Sequence, residues 1–209
     1  MRWKYPRTPH LPWSPGNTDD DIKMTHTNQF KNKQVVITEK LDGENTTLYT
    51  DGMHARSIDS GHHPSRSLAK QLHARIQQEI PDNWRLCGEN VYATHSIAYD
   101  NLEGFFYLFS VWSEKNICLS WDETLEWAQL LGIPTPRTLF EGVWNEQLIR
   151  SLNFNTEEIE GYIVRIRDAF SYCDFHKSVA KWVRKGHVQS NKHWMELEIV
   201  PNKLKDPNA

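Results

Sequence analysis

The residues with the clearest chemical potential lie in the stretch ITEKLDGENTTLYTD, residues 37–51. If this stretch is extended, its side chains alternate, so Lys40 and Asp42 share one face of the strand while Glu39 and Leu41 share the other. Gly43 follows at once and allows a sharp turn or a close approach of the backbone. An amine beside a carboxylate and a glycine turn is a geometry for holding a small ligand.

Lys40 can act as a nucleophile only when its amine has lost its proton. A free lysine has a pKa of about 10.4, so only about one part in a thousand is neutral at physiological pH. Burial and neighbouring cations lower this pKa. The apolar strand before Lys40 supplies burial, and the cationic run at 177–185 supplies positive charge if the fold brings it near. Taken alone, the pattern also fits an edge-strand lysine beside a turn.

Composition limits the class of protein and the kind of partner. With 24 Lys+Arg against 27 Asp+Glu and a net charge of −3, the chain lacks the overall basic character of a bulk nucleic-acid binder, so any phosphate-binding surface must be local. No apolar run is long enough to span a membrane and the N-terminus lacks a signal-peptide pattern, so we expect a cytoplasmic protein with no membrane partner. The three cysteines include no CxxC pair, which argues against a disulfide framework or a zinc ribbon.

Apolar periodicity predicts many short strands and a few helices. Strands are predicted for QVVITEK, TTLYTD, MHARS, WRLCGENVYA, FFYLFSVW, EGYIVRI and SVAKWVRK, with a hairpin at Asp51-Gly52. Helices are predicted for SLAKQLHARIQQEI, WDETLEWAQLLG with a capping box at Ser120, NEQLIRSL, and a short segment beginning at Thr18. Prolines at 6, 9, 12 and 15 predict an extended N-terminal arm.

Runs of strands precede helices without a regular βαβ alternation, which predicts an α+β fold of mainly antiparallel sheets with flanking helices. The length of 209 residues predicts a single domain. We divide it into an N-terminal arm and lead-in (1–33), a catalytic core (34–185) and a short C-terminal tail (186–209).

The segment EKLDGEN (39–45) resembles motif I of the covalent nucleotidyltransferases, the superfamily of ATP-dependent DNA and RNA ligases and mRNA capping enzymes. The lysine of their KxxG motif becomes joined to AMP or GMP. Five later segments resemble the subsequent motifs in the family's order: HARS, CGEN, FYLFSVW, EGYIVRI and AKWVRK. Each match is weak alone, but six in order are specific. The combination is similar to the RNA ligase 2-like branch and covers most of the chain.

The resemblance implies an ATP-dependent RNA ligase that joins 5′-phosphate and 3′-hydroxyl RNA ends through a lysyl-AMP intermediate, in RNA repair. It implies ATP and Mg²⁺ (or Mn²⁺) as cofactors, RNA ends in nicked duplex or single strands as partners, and a nucleotidyltransferase domain of the ATP-grasp-like ligase adenylation type. Whether an accessory subunit takes part stays an open question. The alternatives are a DNA ligase, a capping-type nucleotidyltransferase, or a non-catalytic nucleic-acid-binding domain of the same fold. The first two normally carry an OB domain, and we expect none here because few residues follow motif V.

The resemblance also assigns roles in nucleotide binding. Lys40 becomes the adenylated nucleophile, and Lys181 stabilises the charge on the α-phosphate. Glu39 accepts a hydrogen bond from the adenine amino group, and Phe109 stacks on the ring. Arg56 contacts the ribose or an RNA phosphate. For Phe109 the alternative is core packing.

Acidic residues supply the predicted metal site. Asp42 and Glu160 form a pair that engages the divalent ion, acting through water because Mg²⁺ sheds its hydration reluctantly. Asp42 thereby joins Lys40 and Lys181 in the catalytic machinery. Glu89 contacts the ribose hydroxyls or metal-bound water. A salt bridge between strands is the alternative for Glu89, as it is for Arg56.

RNA contacts are predicted for Asn45, Arg56 and Arg184. Asn45 helps at the sealing step, although an Asn in a turn needs no such role. Motif V usually has Lys-x-Lys, whereas this chain has Lys-Trp-Val-Arg at 181–184, which leaves Arg184 or Lys185 as the second phosphate contact. Because Arg184 faces away from Lys181 in a regular strand, it needs a bulge or a strand end to help.

Overall fold

A computed structural model of the chain describes residues 1–186 and 198–206. Its strands form two antiparallel sheets. The first sheet contains β1 (Gln34–Lys40), β7 (Thr138–Val143), β8 (Gly161–Ile166) and β10 (Val179–Val183), in the order β10-β8-β1-β7. The second contains β2 (Glu44–Tyr49), β3 (Gly52–Ala55), β4 (Arg85–Asn90), β5 (Phe106–Trp112), β6 (Ile117–Cys118) and β9 (Phe170–Ser171), in the order β3-β2-β4-β5-β6-β9.

In the described part of the chain, four α-helices flank the sheets: α1 (Ser67–Ile76), α2 (Trp121–Leu131), α3 (Glu146–Arg150) and α4 (Phe175–Ser178). Both halves of the predicted capping box at the start of α2 are present, and α2 ends at Gly132 with φ of 63°. The α+β class and the predicted strands are confirmed, and β6, β7 and β9 are additional. Among the described residues, none of the helices has the length and apolarity that a bilayer crossing requires.

The hydrophobic core has two main layers. One cluster joins the first sheet to the second, since it takes Ile37 and Val164 from one and Cys87 and Trp112 from the other. The other lies on the opposite face of the second sheet, where Leu86 packs with residues of α1 and α2. Neighbouring side chains of β4 point to opposite faces, so Leu86 and Cys87 serve different layers.

The N-terminal arm runs along the edge of β10. The Lys181 N–H donates to the Pro9 carbonyl at 2.9 Å, and the Leu11 N–H donates to the Lys181 carbonyl at 2.8 Å. The arm thus covers an edge whose backbone groups would otherwise be open to pairing with another chain.

The prediction of a helix that begins at Thr18 is wrong. His10 donates its backbone N–H to the Ile22 carbonyl at 2.7 Å, and its own carbonyl accepts from the Met24 N–H at 2.8 Å. These bonds between two parts of the arm take the backbone groups that a helix would use. The capping signal at Thr18 produces only a turn, in which the Asp21 N–H donates to the Thr18 carbonyl at 3.1 Å.

The predicted C-terminal tail (186–209) lies partly outside the described residues, and the division into arm, core and tail stays a prediction. The described part, 198–206, packs on the loop after β4: the Thr94 N–H donates to the Val200 carbonyl, and the Asn202 amide donates to the Val91 carbonyl, both at 2.8 Å.

Gly161 at the start of β8 should be essential for the close approach of β10 to β8. A Cβ added there would lie 1.9 Å from the Trp182 carbonyl oxygen, so Gly161→Ala should lower the free energy of unfolding by about 1–3 kcal/mol. Gly61→Ala is the control, because its added Cβ would meet no atom within 4 Å. Denaturant titration measures both variants, and equal stability of the two would contradict the close approach of β8 and β10.

Candidate active site

A cleft lies between the two sheets where β1 ends. The first sheet contributes side chains from β1, β8 and β10, the second from β2, β4 and β5, and the arm closes one side. Seven of the predicted site residues line this cleft: Glu39, Lys40, Asn45, Arg56, Glu89, Phe109 and Lys181. The fold therefore brings together side chains that are up to 142 positions apart, from Glu39 to Lys181.

Lys40 is paired with Glu160 at the bottom of this cleft. The Lys40 amine donates to Glu160 Oε2, and to the Leu41 carbonyl at 3.4 Å. The register of β1 against β8 places Lys40 opposite Gly161, so the preceding Glu160 lies beside the amine. Glu160 is 5% exposed and Lys40 22%, which leaves the amine accessible from the cleft.

The pKa of Lys40 lies above its usual value. Burial alone would lower it, but the negative charges of Glu160, Glu89 and Asp42 outweigh that effect. The expectation that burial and neighbouring cations lower this pKa is therefore wrong, because the charges of the acids outweigh burial. The amine must lose its proton before it can attack.

Two more carboxylates lie near Lys40, and each is held by backbone groups. Asp42 Oδ2 accepts from the Ser96 N–H at 2.7 Å, the Ser96 hydroxyl at 2.6 Å and the Ile97 N–H at 3.0 Å. Glu89 Oε1 accepts from the Gly43 N–H at 3.2 Å. Gly43 meets the predicted need for close backbone approach, since a Cβ there would lie 2.4 Å from the Asn90 carbonyl.

Burial raises the pKa of Glu89 to about 8; Lys40 opposes this shift, and the charges of Glu160 and Asp42 reinforce it. Within the part of the chain that the structure describes, no three Asp, Glu, His or Cys side chains are arranged to bind one ion directly. The cluster of carboxyl groups of Asp42, Glu89 and Glu160 nevertheless fits a divalent cation bound through water.

Glu39 and Phe109 also line the cleft. Glu39 lies 3.3 Å from Arg137 Nε, a residue that the sequence analysis missed. Burial raises the pKa of Glu39, and Arg137 opposes the shift. Phe109 is half-buried, and its ring packs edge-on against Tyr5 of the arm at a centroid distance of 5.2 Å. One part of Phe109 thus belongs to the core while another part lines the cleft, so packing and ring stacking are compatible.

Lys181 lies across the cleft from the acids and pairs with the arm. Its amine is 3.5 Å from Asp21 Oδ1. Burial lowers the pKa of Lys181, Asp21 opposes this, and the positive charges of Lys40 and Arg56 add to the lowering. Arg56 is exposed, and its effect on this pKa shows that it faces the same space.

Arg184 and Asn45, both predicted to contact RNA, lie in different surroundings. β10 ends at Val183, so Arg184 has the strand end that its predicted role requires. Its Nη2 donates to the Ser96 hydroxyl at 3.4 Å, which places it at the loop that holds Asp42. Asn45 faces the cleft, and its Oδ1 is buried with no hydrogen-bond partner among the described residues.

Three further residues at the cleft were not predicted: Tyr5, Asp21 and Arg165. Arg165 is buried and lines the cleft, with Nη2 donating to the Leu119 carbonyl at 2.7 Å and Nη1 to the Phe109 carbonyl at 3.4 Å. It thereby fixes the backbone that carries Phe109. An arginine on the apolar face of EGYIVRI was the available signal for Arg165, whereas Tyr5 and Asp21 carried none.

The fold and this cleft define an α+β domain of the nucleotidyltransferase type found in RNA ligases. A family model described as RNA ligase matches residues 33–183, and the chain belongs to that family. No curated protein matches the sequence.

Solved structures show the same fold at low identity. An archaeal ATP-dependent RNA ligase (form 1) has 16% identity and a TM-score of 0.56, covering 86% of this chain and 48% of its own. A Naegleria gruberi RNA ligase with PPi has 19% identity and a TM-score of 0.56, and a variant of it with ATP and Mn has 17% and 0.55; each match covers 88% of this chain and 62% of the neighbour. The chain thus spans about half to three fifths of these neighbours' length.

The buried Glu89 predicts a dependence of stability on pH in metal-free protein. The folded protein keeps the Glu89 proton until about pH 8, whereas the unfolded chain loses it near the ordinary value of 4.5. Between these values the unfolded state binds fewer protons, so the free energy of unfolding should fall as pH rises, by at most about 1.4 kcal/mol per pH unit.

Glu89→Gln should remove this contribution, and the exposed Glu79→Gln should not. Denaturant titrations in chelator at several pH values between about 5 and 8 measure the slope. If wild type and Glu89→Gln lose stability equally over this range, the raised pKa of Glu89 is wrong.

Proposed function

We propose that this protein is an ATP-dependent RNA ligase whose Lys40 forms a covalent bond with AMP. The observation that carries the proposal is the contact of Lys40 with Glu160 inside a cleft that also contains Lys181 and Glu39. An amine among acids, with a second cation opposite, provides a nucleophile and groups that neutralise phosphate charge in one place. Membership of the RNA ligase family supports the assignment.

In the first step the Lys40 lone pair attacks the α-phosphorus of ATP, the bond to the β-phosphate oxygen breaks, and pyrophosphate leaves. The ammonium loses one proton to solvent before the attack and a second after it, and a phosphoramidate whose nitrogen keeps one hydrogen remains. In the second step a 5′-phosphate oxygen of RNA attacks the same phosphorus and releases Lys40. In the third, a 3′-hydroxyl attacks the RNA phosphorus and AMP leaves. Charge develops at phosphorus each time, so groups fixed in the cleft serve all three steps.

The nucleotide roles are those that the motif resemblance implies, and the position of these side chains in one cleft supports them. Glu39 would accept from the adenine amino group, with Arg137 holding its carboxylate, and Phe109 would stack on the base. Arg56 would contact the ribose or an RNA phosphate. Lys181 would face the phosphates, where its charge stabilises the attack.

Asp42, Glu89 and Glu160 would hold a divalent cation, Mg²⁺ or Mn²⁺, through water. Such an ion supplies positive charge for the phosphates and offsets the acids that raise the pKa of Lys40. Glu160 would help to hold that ion while remaining next to Lys40, and weaker attraction between Glu160 and the Lys40 amine would let the amine lose its proton more readily.

RNA contacts are proposed for Asn45, Arg56 and Arg184, with the basic arm as a further surface. In the arm, Arg2 now pairs with Asp51, and Arg7 donates to the Asp20 carbonyl at 3.0 Å. Lys185 stays a second candidate beside Arg184 for the additional phosphate contact. A cytoplasmic location and a role in RNA repair are part of the same proposal.

Transfer of AMP to Lys40 is tested with ATP labelled at the α-phosphate and a divalent cation. Wild type should retain label after denaturation, and Lys40→Ala should retain none. Lys40→Arg keeps a positive charge beside Glu160 but offers a guanidinium that stays protonated, so it should fold and also remain unlabelled. Lys177→Ala is the matched control, because Lys177 is exposed and pairs with Asp174.

Label in Lys40→Ala equal to wild type would exclude Lys40 as the nucleophile. GTP and NAD⁺ labelled in the same way identify the donor: label from GTP alone would indicate a capping-type enzyme. The absence of label from every donor would indicate a non-catalytic nucleic-acid-binding domain instead of a ligase.

The type of strand joined is tested with 5′-phosphorylated ends in nicked duplex RNA, stem-loop RNA, single-stranded RNA and nicked DNA. We expect the wild-type protein to seal RNA ends. Lys181→Ala should lose at least about a hundredfold of this sealing activity, the lower end of what one preorganised charge contributes. Preference for nicked DNA would overturn the assignment to RNA in favour of a DNA ligase.

A further inference from the structure

The N-terminal arm is joined to the strand that carries Lys181 by four hydrogen bonds. Two involve the backbone of Lys181 itself, with Pro9 and Leu11. Two more involve Val183, whose carbonyl accepts from the Gly16 N–H and whose N–H donates to the Ser14 hydroxyl, both at 2.9 Å. The position of the arm relative to the cleft is therefore fixed by backbone bonding on both sides of the Lys181 side chain.

This arrangement aims one carboxylate oxygen of Asp21 at the Lys181 amine. Asp21 Oδ2 accepts from the Thr18 N–H at 3.1 Å and the Thr18 hydroxyl at 3.0 Å, and it lies 3.3 Å from His10 Nε2. His10 is fully buried and is held by Ser14, whose Oγ lies 2.8 Å from His10 Nδ1. With Oδ2 engaged, Oδ1 faces Lys181 at 3.5 Å.

Asp21 and Lys181 have different charged neighbours. Burial would raise the pKa of Asp21, but the Thr18 hydrogen bonds, Lys181 and His10 hold it at about 2, so the carboxylate is ionised at neutral pH. Lys181 faces two cations, Lys40 and Arg56, which favour its neutral form, whereas Asp21 favours its charged form. Removing Asp21 would leave a partly buried amine facing like charges.

We propose that Asp21 is a positioning residue that holds the Lys181 ammonium in the cleft, so that the arm forms a working part of the nucleotide site. The inference rests on the proposed function in one respect, the role of Lys181 toward phosphate. The family model covers residues 33–183, so Lys181 lies inside the matched segment and Asp21 lies outside it. At 3.5 Å the ion pair is loose enough for Lys181 to move to a phosphate group when nucleotide enters.

Asp21→Asn tests the inference, because the amide keeps the shape but loses the charge. Asp19→Asn is the matched control, since Asp19 is an exposed acid two positions earlier on the same turn. Titration of lysine amines carrying isotope-labelled methyl groups, followed by NMR and assigned with Lys181→Arg, reports on Lys181 without requiring catalysis.

We expect the Lys181 amine to titrate about one pH unit lower in Asp21→Asn than in wild type, and unchanged in Asp19→Asn. In the labelling assay with ATP, the rate of Lys40 adenylation should fall on the alkaline side of its pH profile. The pH at which it falls should be lower in Asp21→Asn than in wild type. The reason is that Lys181 must stay protonated to act. When Lys181→Arg is also present, Asp21→Asn should no longer shift the pH at which the adenylation rate falls, because a guanidinium stays charged throughout.

An unchanged Lys181 titration in Asp21→Asn would overturn the inference even if Lys40 becomes adenylated normally. A shift of equal size in Asp19→Asn would also overturn it, because the effect would then be one of net charge. Absence of adenylation in wild type would refute the proposed function, while the NMR titration would still decide whether Asp21 holds Lys181.

Discussion

The contact between Lys40 and Glu160 is the constraint on which the rest of the cleft depends. It exists because β1 and β8 pair with Lys40 opposite Gly161, and because the missing side chain of Gly161 lets β10 approach β8 closely. A one-residue change of register would turn the amine to the other face of the sheet. The pairing of β10 with β8 places Lys181 opposite Ile163, so the registers of two strand pairs fix both cations of the site.

The two lysines of the cleft are tuned in opposite directions. Acids hold the pKa of Lys40 high, and burial with neighbouring cations holds that of Lys181 low. For the proposed reaction, Lys40 must lose a proton and Lys181 must keep one. Positive charge near the acids would lower the pKa of Lys40, and negative charge near Lys181 would raise the pKa of that amine.

Sequence reasoning succeeded where the signal was local. Alternation and turn chemistry predicted most strands and the hairpin at Gly52, and the capping box at Ser120 defined α2 correctly. β7 was missed because TLFEGV is an edge strand with most residues only partly buried, so its alternation is weak. The helix at Thr18 failed because bonds between distant parts of the arm outcompeted a local capping signal. The site residues were predicted through their motifs and stay a prediction, whereas the pKa of Lys40 depends on distances that only the fold determines.

Arg184 shows how a departure from a motif can be accommodated by the surrounding fold. Since β10 ends at Val183, the next residue leaves the strand alternation, and its guanidinium turns toward Ser96. Ser96 in turn donates both its N–H and its hydroxyl to Asp42. Arg184 is therefore linked, through one serine, to a carboxylate beside Lys40. A phosphate that drew Arg184 away would weaken the hold on Asp42, because this chain of contacts connects the end of β10 to the acids beside Lys40.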